Sequence, residues 1–422
     1  MSTGRPPAVA LFAATALAIG LTVGFGLGLW LLLARVWGVS LLGGSWLILV
    51  QVHGILQLFG FAGLFAMGIA LHALPRFRGS PPPSPVLVWM TYLATVGGLA
   101  IRSIAQAVPD LPARGPLLLV GGGLLVLGAL AFAAAALASL AGGRNPHRPD
   151  ELVIGAGVAL FPVAALFVAI EAIGTAPRIV DQPTDDRALW TMLLGGIATL
   201  IFGAWARLAP GFVAALPARP RPLIAGVAMW LVGVAALAGQ QGAGPWLLFA
   251  GLATTTSALS VFGPGIARQP LQDHARLTRI GVRSAFAWAF VGIGILVAGT
   301  VGLAGSYLQI SAGRHAVGLG FVTLMIYAVA ARALPAFLGR RLWSQRLQAA
   351  TLLIANLAVA LRVLPQLIEG AELEAVIGLS GMLAYSGLVL FTVNVVRTLR
   401  GPSATAVVPG APVHLDLQLR KR

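Results

Sequence analysis

Twelve long apolar runs constrain what this chain can fold into more than any other feature of its sequence. They cover residues 8–36, 46–74, 86–107, 116–141, 152–175, 188–209, 222–240, 245–266, 284–304, 312–334, 347–366 and 375–398. A helix that crosses a bilayer needs about 20 apolar residues. Only 9% of the residues are charged, against roughly 25% in soluble domains, so most of the surface must face lipid. The sequence predicts an all-α, polytopic membrane helix bundle with about twelve transmembrane helices.

The apolar runs also set the domain organisation. We predict a single transmembrane domain over residues 1–400, followed by a cytoplasmic disordered tail over residues 401–422, which lacks a spanning run. The first run exceeds the roughly 7–15 apolar residues of a signal peptide and is expected to stay in the membrane. Because the chain contains no cysteine, disulfides, iron–sulfur clusters and cysteine-ligated zinc are excluded.

The net charge of +16 would suggest a nucleic-acid partner in a soluble protein. Here the arginines stand at the ends of apolar runs, as loop charges do in membrane proteins, so we expect membrane lipid and no nucleic acid as a partner. Arginines follow every even-numbered run, as Arg76 and Arg78 do, whereas loops after odd-numbered runs are poor in arginine or contain acids such as Asp185. The positive-inside rule then places both termini in the cytoplasm.

An internal repeat links the second, sixth and tenth runs. Their ends read HALPRF from His72, RLAPGF from Arg207 and RALPAF from Arg332, at offsets of 135 and 125 residues. Gly60, Gly195 and Gly320 recur at the same offsets. We predict three four-helix repeats over about 1–145, 150–270 and 277–400. A transporter of the major facilitator type would instead repeat in halves.

Two histidines inside apolar runs are the main candidates for chemistry. A strongly polar residue at that depth is costly, and it is either functional or hydrogen-bonded between helices. His53 and His315 lie on the second and tenth runs, both in the outer part of the membrane at comparable depth. Two imidazoles that face each other across a bundle are the usual ligands of a b-type haem. We therefore predict His53 and His315 as ligands of one haem iron.

Other polar residues in the runs have weaker claims to function. His72 lies about 28 Å along the helix from His53, so it either closes the helix at the inner interface or holds a second metal. Arg102 and Arg362, near the outer ends of the third and eleventh runs, either extend to the interface or pair with haem propionates. Glu171 is either interfacial or a proton group. His147, His274 and His414 are predicted in solvated loops or the tail.

The glycine clusters at residues 24–28 and 121–123 could belong to nucleotide-binding loops or to closely packed helices. Such clusters occur in nucleotide-binding loops, but these lie inside apolar runs and lack a strand–helix context. We predict that they allow helices to pack closely.

The residues around His53 and His315 resemble the NnrS family. The stretch His53-Gly54-Ile55 through Gly68, Pro75 and Gly79 is similar to that family's second span, and residues 206–212 resemble its G-R-x-I-P-x-F stretch. The tenth run is most similar: His315-Ala316, Gly320, Arg332, Gly339 and Arg340 fit an H-A-x-x-x-G … R … G-H-T-G-R pattern.

The resemblance implies a bacterial inner-membrane protein that contains haem b and copper and is linked to nitric oxide and nitrosative stress. The family is also similar in outline to the main subunit of haem–copper oxidases, whose twelve helices form three groups of four with haem ligands on the second and tenth. This sequence departs from the family at Ile55, Leu56 and Phe337, where the family has His, Glu and His. The sixth and seventh runs contain no histidine, so an oxidase-type copper site lacks its ligands.

Three functions remain open on the sequence. The first is a b-haem protein of NnrS type in nitric oxide tolerance or associated electron transfer, with nitric oxide or a redox protein as partner. If it is an enzyme, it is a haem-dependent oxidoreductase. The second is a twelve-helix transporter without a cofactor. The third is a degenerate subunit of a haem–copper oxidase or nitric oxide reductase.

Overall fold

The predicted all-helical architecture is confirmed in a computed structural model of the chain. The structure describes residues 8–39, 46–108, 110–174, 180, 182–265, 271, 273–368 and 374–401. These residues form twelve helices, eleven of which are long and apolar enough to cross a membrane. The eleven are α1 (Ala8–Val36), α2 (Trp46–Arg78), α3 (Pro85–Ala107), α4 (Arg114–Ala141), α5 (Pro149–Ile173), α6 (Pro183–Val213), α7 (Pro220–Ala238), α9 (Asp273–Thr300), α10 (Tyr307–Phe337), α11 (Gln345–Leu367) and α12 (Glu374–Arg400).

The remaining helix, α8, is shorter than the apolar run that predicted it. The run extends over residues 245–266, but α8 (Gly244–Ala258) has only 15 residues. Arg219 closes this end, because its backbone N–H donates to the Ala258 carbonyl at 3.0 Å and its side chain donates to the Ser257 carbonyl at 3.0 Å. Ser260 then has φ of 50°, which a continuing helix cannot accommodate. The eighth run therefore forms a helix, as predicted, but this helix is shorter than the run and is not one of the eleven candidate spans.

The core of the bundle lies along α2, α6 and α10. In the apolar windows of these three helices 72%, 89% and 72% of the residues are buried, against 33–50% in the other eight spans. A helix that is apolar on all sides and buried on all sides must sit inside a ring of other helices. The three central helices thus carry the residues that cannot face lipid, including His53 and His315.

Each central helix widens into π-helix at a corresponding place. The π-helical segments are Leu56–Gly63, Thr191–Ala198 and Ala316–Thr323. They are eight residues long and start at the offsets of 135 and 125 residues seen in the sequence. π-Helical turns are rare in proteins, and those that do occur are often found at functional sites.

A glycine holds the fifth position of each π-helical segment and lets an outer helix approach. A Cβ added to Gly60 would come 2.8 Å from Ile19 of α1, one at Gly195 would come 2.9 Å from Leu160 of α5, and one at Gly320 would come 2.6 Å from Trp288 of α9. Each glycine therefore packs against the first helix of its own predicted repeat.

Two of the peripheral histidines can be placed. His147 lies in the loop before α5, as predicted, whereas His274 lies in the first turn of α9 rather than in a loop. The helix begins at Asp273, whose carboxylate in the first turn favours the helix N-terminus. His414 and the predicted tail beyond Gly401 lie outside the described residues.

Candidate haem site

His53 is held by a carbonyl group that an irregular turn of α1 exposes. The His53 Nδ1 atom lies 3.0 Å from the Gly24 carbonyl oxygen. Gly24 ends a π-helical turn over Gly20–Gly24 and has φ −87° and ψ −102°, outside the helical range. Since a carbonyl oxygen only accepts, Nδ1 carries the ring proton and the lone pair of Nε2 is free to bind a metal.

Gly28 makes room for the His53 ring one turn further along α1. A Cβ at this position would lie 2.6 Å from His53 Cε1 and 3.3 Å from Nε2. The ring thus rests directly on the α1 backbone, between Gly24 and Gly28. The glycine cluster over residues 24–28 serves close helix packing, as its position inside an apolar run predicted.

His315 shows the same arrangement on α10 with a local partner. Its Nδ1 atom lies 2.7 Å from the Ser311 carbonyl oxygen, one turn earlier in the same helix. The Nε2 lone pair of His315 is therefore also free. His315 directly precedes the π-helical segment Ala316–Thr323, whereas the residue that precedes the segment of α2 is Ile55, and His53 stands two positions earlier.

The two histidines share one buried environment with Arg362. His53 and His315 lie within electrostatic range of each other, and the Arg362 guanidinium acts on both rings. Arg362 donates from Nη2 to Ser311 Oγ at 3.4 Å, a long hydrogen bond, and its Nε is buried without a partner. Two imidazoles and a cation without a carboxylate partner among the described residues thus come together at the N-terminal ends of α2 and α10 and the C-terminal end of α11.

Arg102, the other predicted propionate partner, is already paired. Its Nη2 donates to Glu171 Oε2 at 2.7 Å, and the two side chains are 1% and 0% exposed. A buried guanidinium that holds a carboxylate has its charge neutralised within the protein. Glu171 is correspondingly a buried ion-pair partner that joins α5 to α3.

His72 lies near the C-terminal end of α2, away from the other two histidines. Its ring packs on Phe337 at a centroid distance of 4.9 Å, and its Nε2 is buried without a hydrogen-bond partner. No group of three or more His, Cys, Asp or Glu side chains that could hold a metal ion occurs among the described residues. The role of His72 as a ligand of a second metal stays a prediction.

Sequence reasoning missed an ion pair next to His315. Arg314 pairs with Asp186 of α6, and its guanidinium lies 5.5 Å from the ring centroid of Trp190. Asp185 is buried, with 6% of its surface exposed. The sequence could have indicated this ion pair, because Arg314 stands next to His315 at the start of an apolar run.

The helix count, the apolar exterior and the buried polar groups define a polytopic membrane protein with a candidate ligand site between its central helices. The chain belongs to the NnrS family: it matches the family described as NnrS protein over residues 8–403. No curated protein matches the chain.

Proposed function

We propose that this NnrS-family protein binds one haem b between α2 and α10, where His53 and His315 would hold the haem iron. The observation that carries the proposal is the shared use of Nδ1. Both rings donate it to a backbone carbonyl, at 3.0 Å and 2.7 Å, and keep Nε2 for a metal. A hydrogen bond from the second ring nitrogen to a backbone carbonyl fixes the tautomer and orientation of a metal-ligating histidine.

Arg362 is the proposed partner of a haem propionate. It is a cation with a buried, unpartnered Nε beside both histidines, and no carboxylate pairs with it among the described residues. A guanidinium binds a carboxylate through two parallel hydrogen bonds. Arg102 is not proposed as a propionate partner, because its Nη2 already binds Glu171 Oε2 at 2.7 Å.

The proposed activity is electron transfer associated with nitric oxide and nitrosative stress tolerance. A haem held by both histidines would supply one-electron chemistry, with both protein ligands in place before any small molecule binds. A redox protein is therefore favoured over nitric oxide as the direct partner of the resting site. Copper is not included in the proposal, because the sixth and seventh runs contain no histidine and the oxidase-type copper site lacks its ligands.

The proposed location is the bacterial inner membrane, with both termini in the cytoplasm. The arginine-rich loops follow even-numbered helices, which the positive-inside rule assigns to the cytoplasmic side. A fluorescent-protein fusion at the C-terminus tests this: we expect fluorescence, and an active periplasmic alkaline-phosphatase fusion at the same site would contradict it.

The absorption spectrum of variants tests the haem proposal. Protein purified from haem-replete cells should show a Soret band with one haem per chain. Replacing either ligand, in His53→Ala or His315→Ala, should change the band to that of a five-coordinate haem or remove it. The control His147→Ala, in an exposed loop, should leave the band unchanged. A colourless protein that is fully helical by circular dichroism would refute the proposal and favour a cofactor-free transporter.

A further inference from the structure

Two arginines of α9 bind the loop that follows the short helix α8. Arg279 donates from Nη2 to the Gly263 carbonyl at 2.9 Å. Arg283, one turn later in α9, donates from Nη2 to the same carbonyl at 2.7 Å and from Nε to the Val261 carbonyl at 3.1 Å. Because two of these hydrogen bonds end on one oxygen atom, the two guanidinium groups are direct neighbours. We call Arg279 and Arg283 the arginine pair.

The arginine pair brings two positive charges together without a carboxylate. Both side chains are half-buried, and Arg279 acts electrostatically on Arg283. All their hydrogen bonds to described residues go to backbone carbonyls, and neither arginine forms an ion pair within that part of the chain. A carbonyl has only a partial charge, so the repulsion between the two cations is not neutralised by the protein. An anion beside the pair would neutralise it.

Donors for such an anion remain on both side chains. Arg279 Nε and Nη1 and Arg283 Nη1 donate to no residue that the structure describes. A Cβ added to Gly265 would come 3.1 Å from Arg279 Nη1, so the missing side chain of Gly265 leaves space beside that nitrogen. These donors belong to two adjacent guanidinium groups, and the planar guanidinium fork matches the geometry of phosphate oxygens.

The arginine pair also lies at the border of an apolar surface. Arg283 directly precedes the apolar run over residues 284–304, at the depth where lipid headgroups meet hydrocarbon. Ile280 lies between the two arginines in α9, Phe262 lies between the two carbonyl groups that they bind, and each of these apolar side chains is 51% exposed. A ligand that contacts both the cations and these side chains must be anionic at one end and apolar at the other.

We propose that the arginine pair binds the headgroup phosphate of an anionic phospholipid, such as phosphatidylglycerol, whose acyl chains cover Phe262 and Ile280. Arginines near the membrane surface attract anionic lipids electrostatically, and here two of them converge on one point of the surface. The bound lipid holds the loop after α8 against α9, where the eighth apolar run no longer forms a helix.

Native mass spectrometry of the purified full chain in detergent tests the proposal. We expect one phosphatidylglycerol per chain to bind saturably, at concentrations at which phosphatidylcholine does not bind. The double variant Arg279→Gln/Arg283→Gln should weaken the apparent Kd for phosphatidylglycerol at least about tenfold. The control Arg144→Gln, at an exposed arginine in the loop between α4 and α5, should keep the wild-type Kd. Equal binding of the two lipids, or an unchanged Kd in the double variant, would overturn the proposal.

Hydrogen–deuterium exchange of the wild-type protein in nanodiscs is a second test, which decides if the double variant fails to fold. Replacing phosphatidylcholine with phosphatidylglycerol should slow the exchange of backbone amides over residues 259–265 and leave residues 142–145 unchanged. Equal exchange over residues 259–265 in the two lipids would contradict the proposal. Displacement of the bound phosphatidylglycerol by millimolar inorganic phosphate, at constant ionic strength, would assign the site to a free ion and overturn the assignment to a lipid.

Discussion

Arg102 and Arg362 occupy corresponding places in the first and third predicted repeats, 260 residues apart, and have opposite surroundings. Arg102 of α3 is completely buried against Glu171 of α5 at 2.7 Å. Arg362 of α11 has a long hydrogen bond to Ser311 at 3.4 Å, two neighbouring histidines and no carboxylate partner among the described residues, whereas the Nε atoms of both arginines are buried without a partner. Of two arginines at corresponding positions, one thus has its charge neutralised by a carboxylate of the protein, and the other has no such partner among the described residues.

The largest effect expected from this difference is on stability. Glu171→Gln leaves the Arg102 guanidinium buried without a counter-charge, and removing one partner of a buried pair costs about 3–5 kcal/mol. The free energy of unfolding in detergent, followed by circular dichroism, should fall by that amount. Arg102→Gln should also reduce the free energy of unfolding, because it removes the guanidinium that binds Glu171 at 2.7 Å.

The double variant Arg102→Gln/Glu171→Gln is the control for this pair. It removes both charges and should recover most of the stability lost in either single variant. Additive losses in the double variant would contradict the pairing and would remove the contrast between the two arginines.

The three π-helical glycines allow a second, smaller test of how similar the predicted repeats are. In Gly320→Ala the new Cβ meets the rigid root of Trp288 at 2.6 Å, whereas in Gly60→Ala it meets a terminal methyl of Ile19 at 2.8 Å. Overpacking costs about 1–3 kcal/mol, so Gly320→Ala should lie near the upper limit and Gly60→Ala near the lower. Equal losses in the free energy of unfolding would show that the two contacts adapt equally well.

Arg362→Gln should have the smallest effect on stability and a specific effect on haem. It removes an under-paired buried cation, so the unfolding free energy of the haem-free protein should not decrease. Loss of the propionate contact should speed haem transfer to excess apomyoglobin about tenfold. Arg35→Gln, at the exposed Arg35–Glu374 pair, is the matched control and should transfer haem at the wild-type rate.

Much of the fold could be predicted because apolar run length sets where a membrane helix can lie. Eleven runs correspond to spanning helices. The end of α8 could not be predicted, because it depends on hydrogen bonds from Arg219, 38 residues away from Ser257. Local composition continued the apolar run beyond the point where this tertiary contact ends the helix.

The site was only partly predictable for the same reason. His53 and His315 are visible as polar residues in apolar runs, but the Gly24 carbonyl that orients His53 depends on a π-helical turn in another helix. The Arg102–Glu171 pair joins residues that are 69 positions apart and belong to different predicted repeats. A repeat found from sequence predicts equivalent positions, but it does not predict the contacts that make those positions differ.

Electron paramagnetic resonance of the oxidised, purified protein tests the central claim most directly, because it reports the ligands of ferric haem. The account predicts a low-spin ferric signal of a haem with two imidazole ligands, one haem per chain, that becomes high-spin or disappears in both His53→Ala and His315→Ala. A wild-type protein with no haem, or a haem whose signal survives both substitutions, would contradict it.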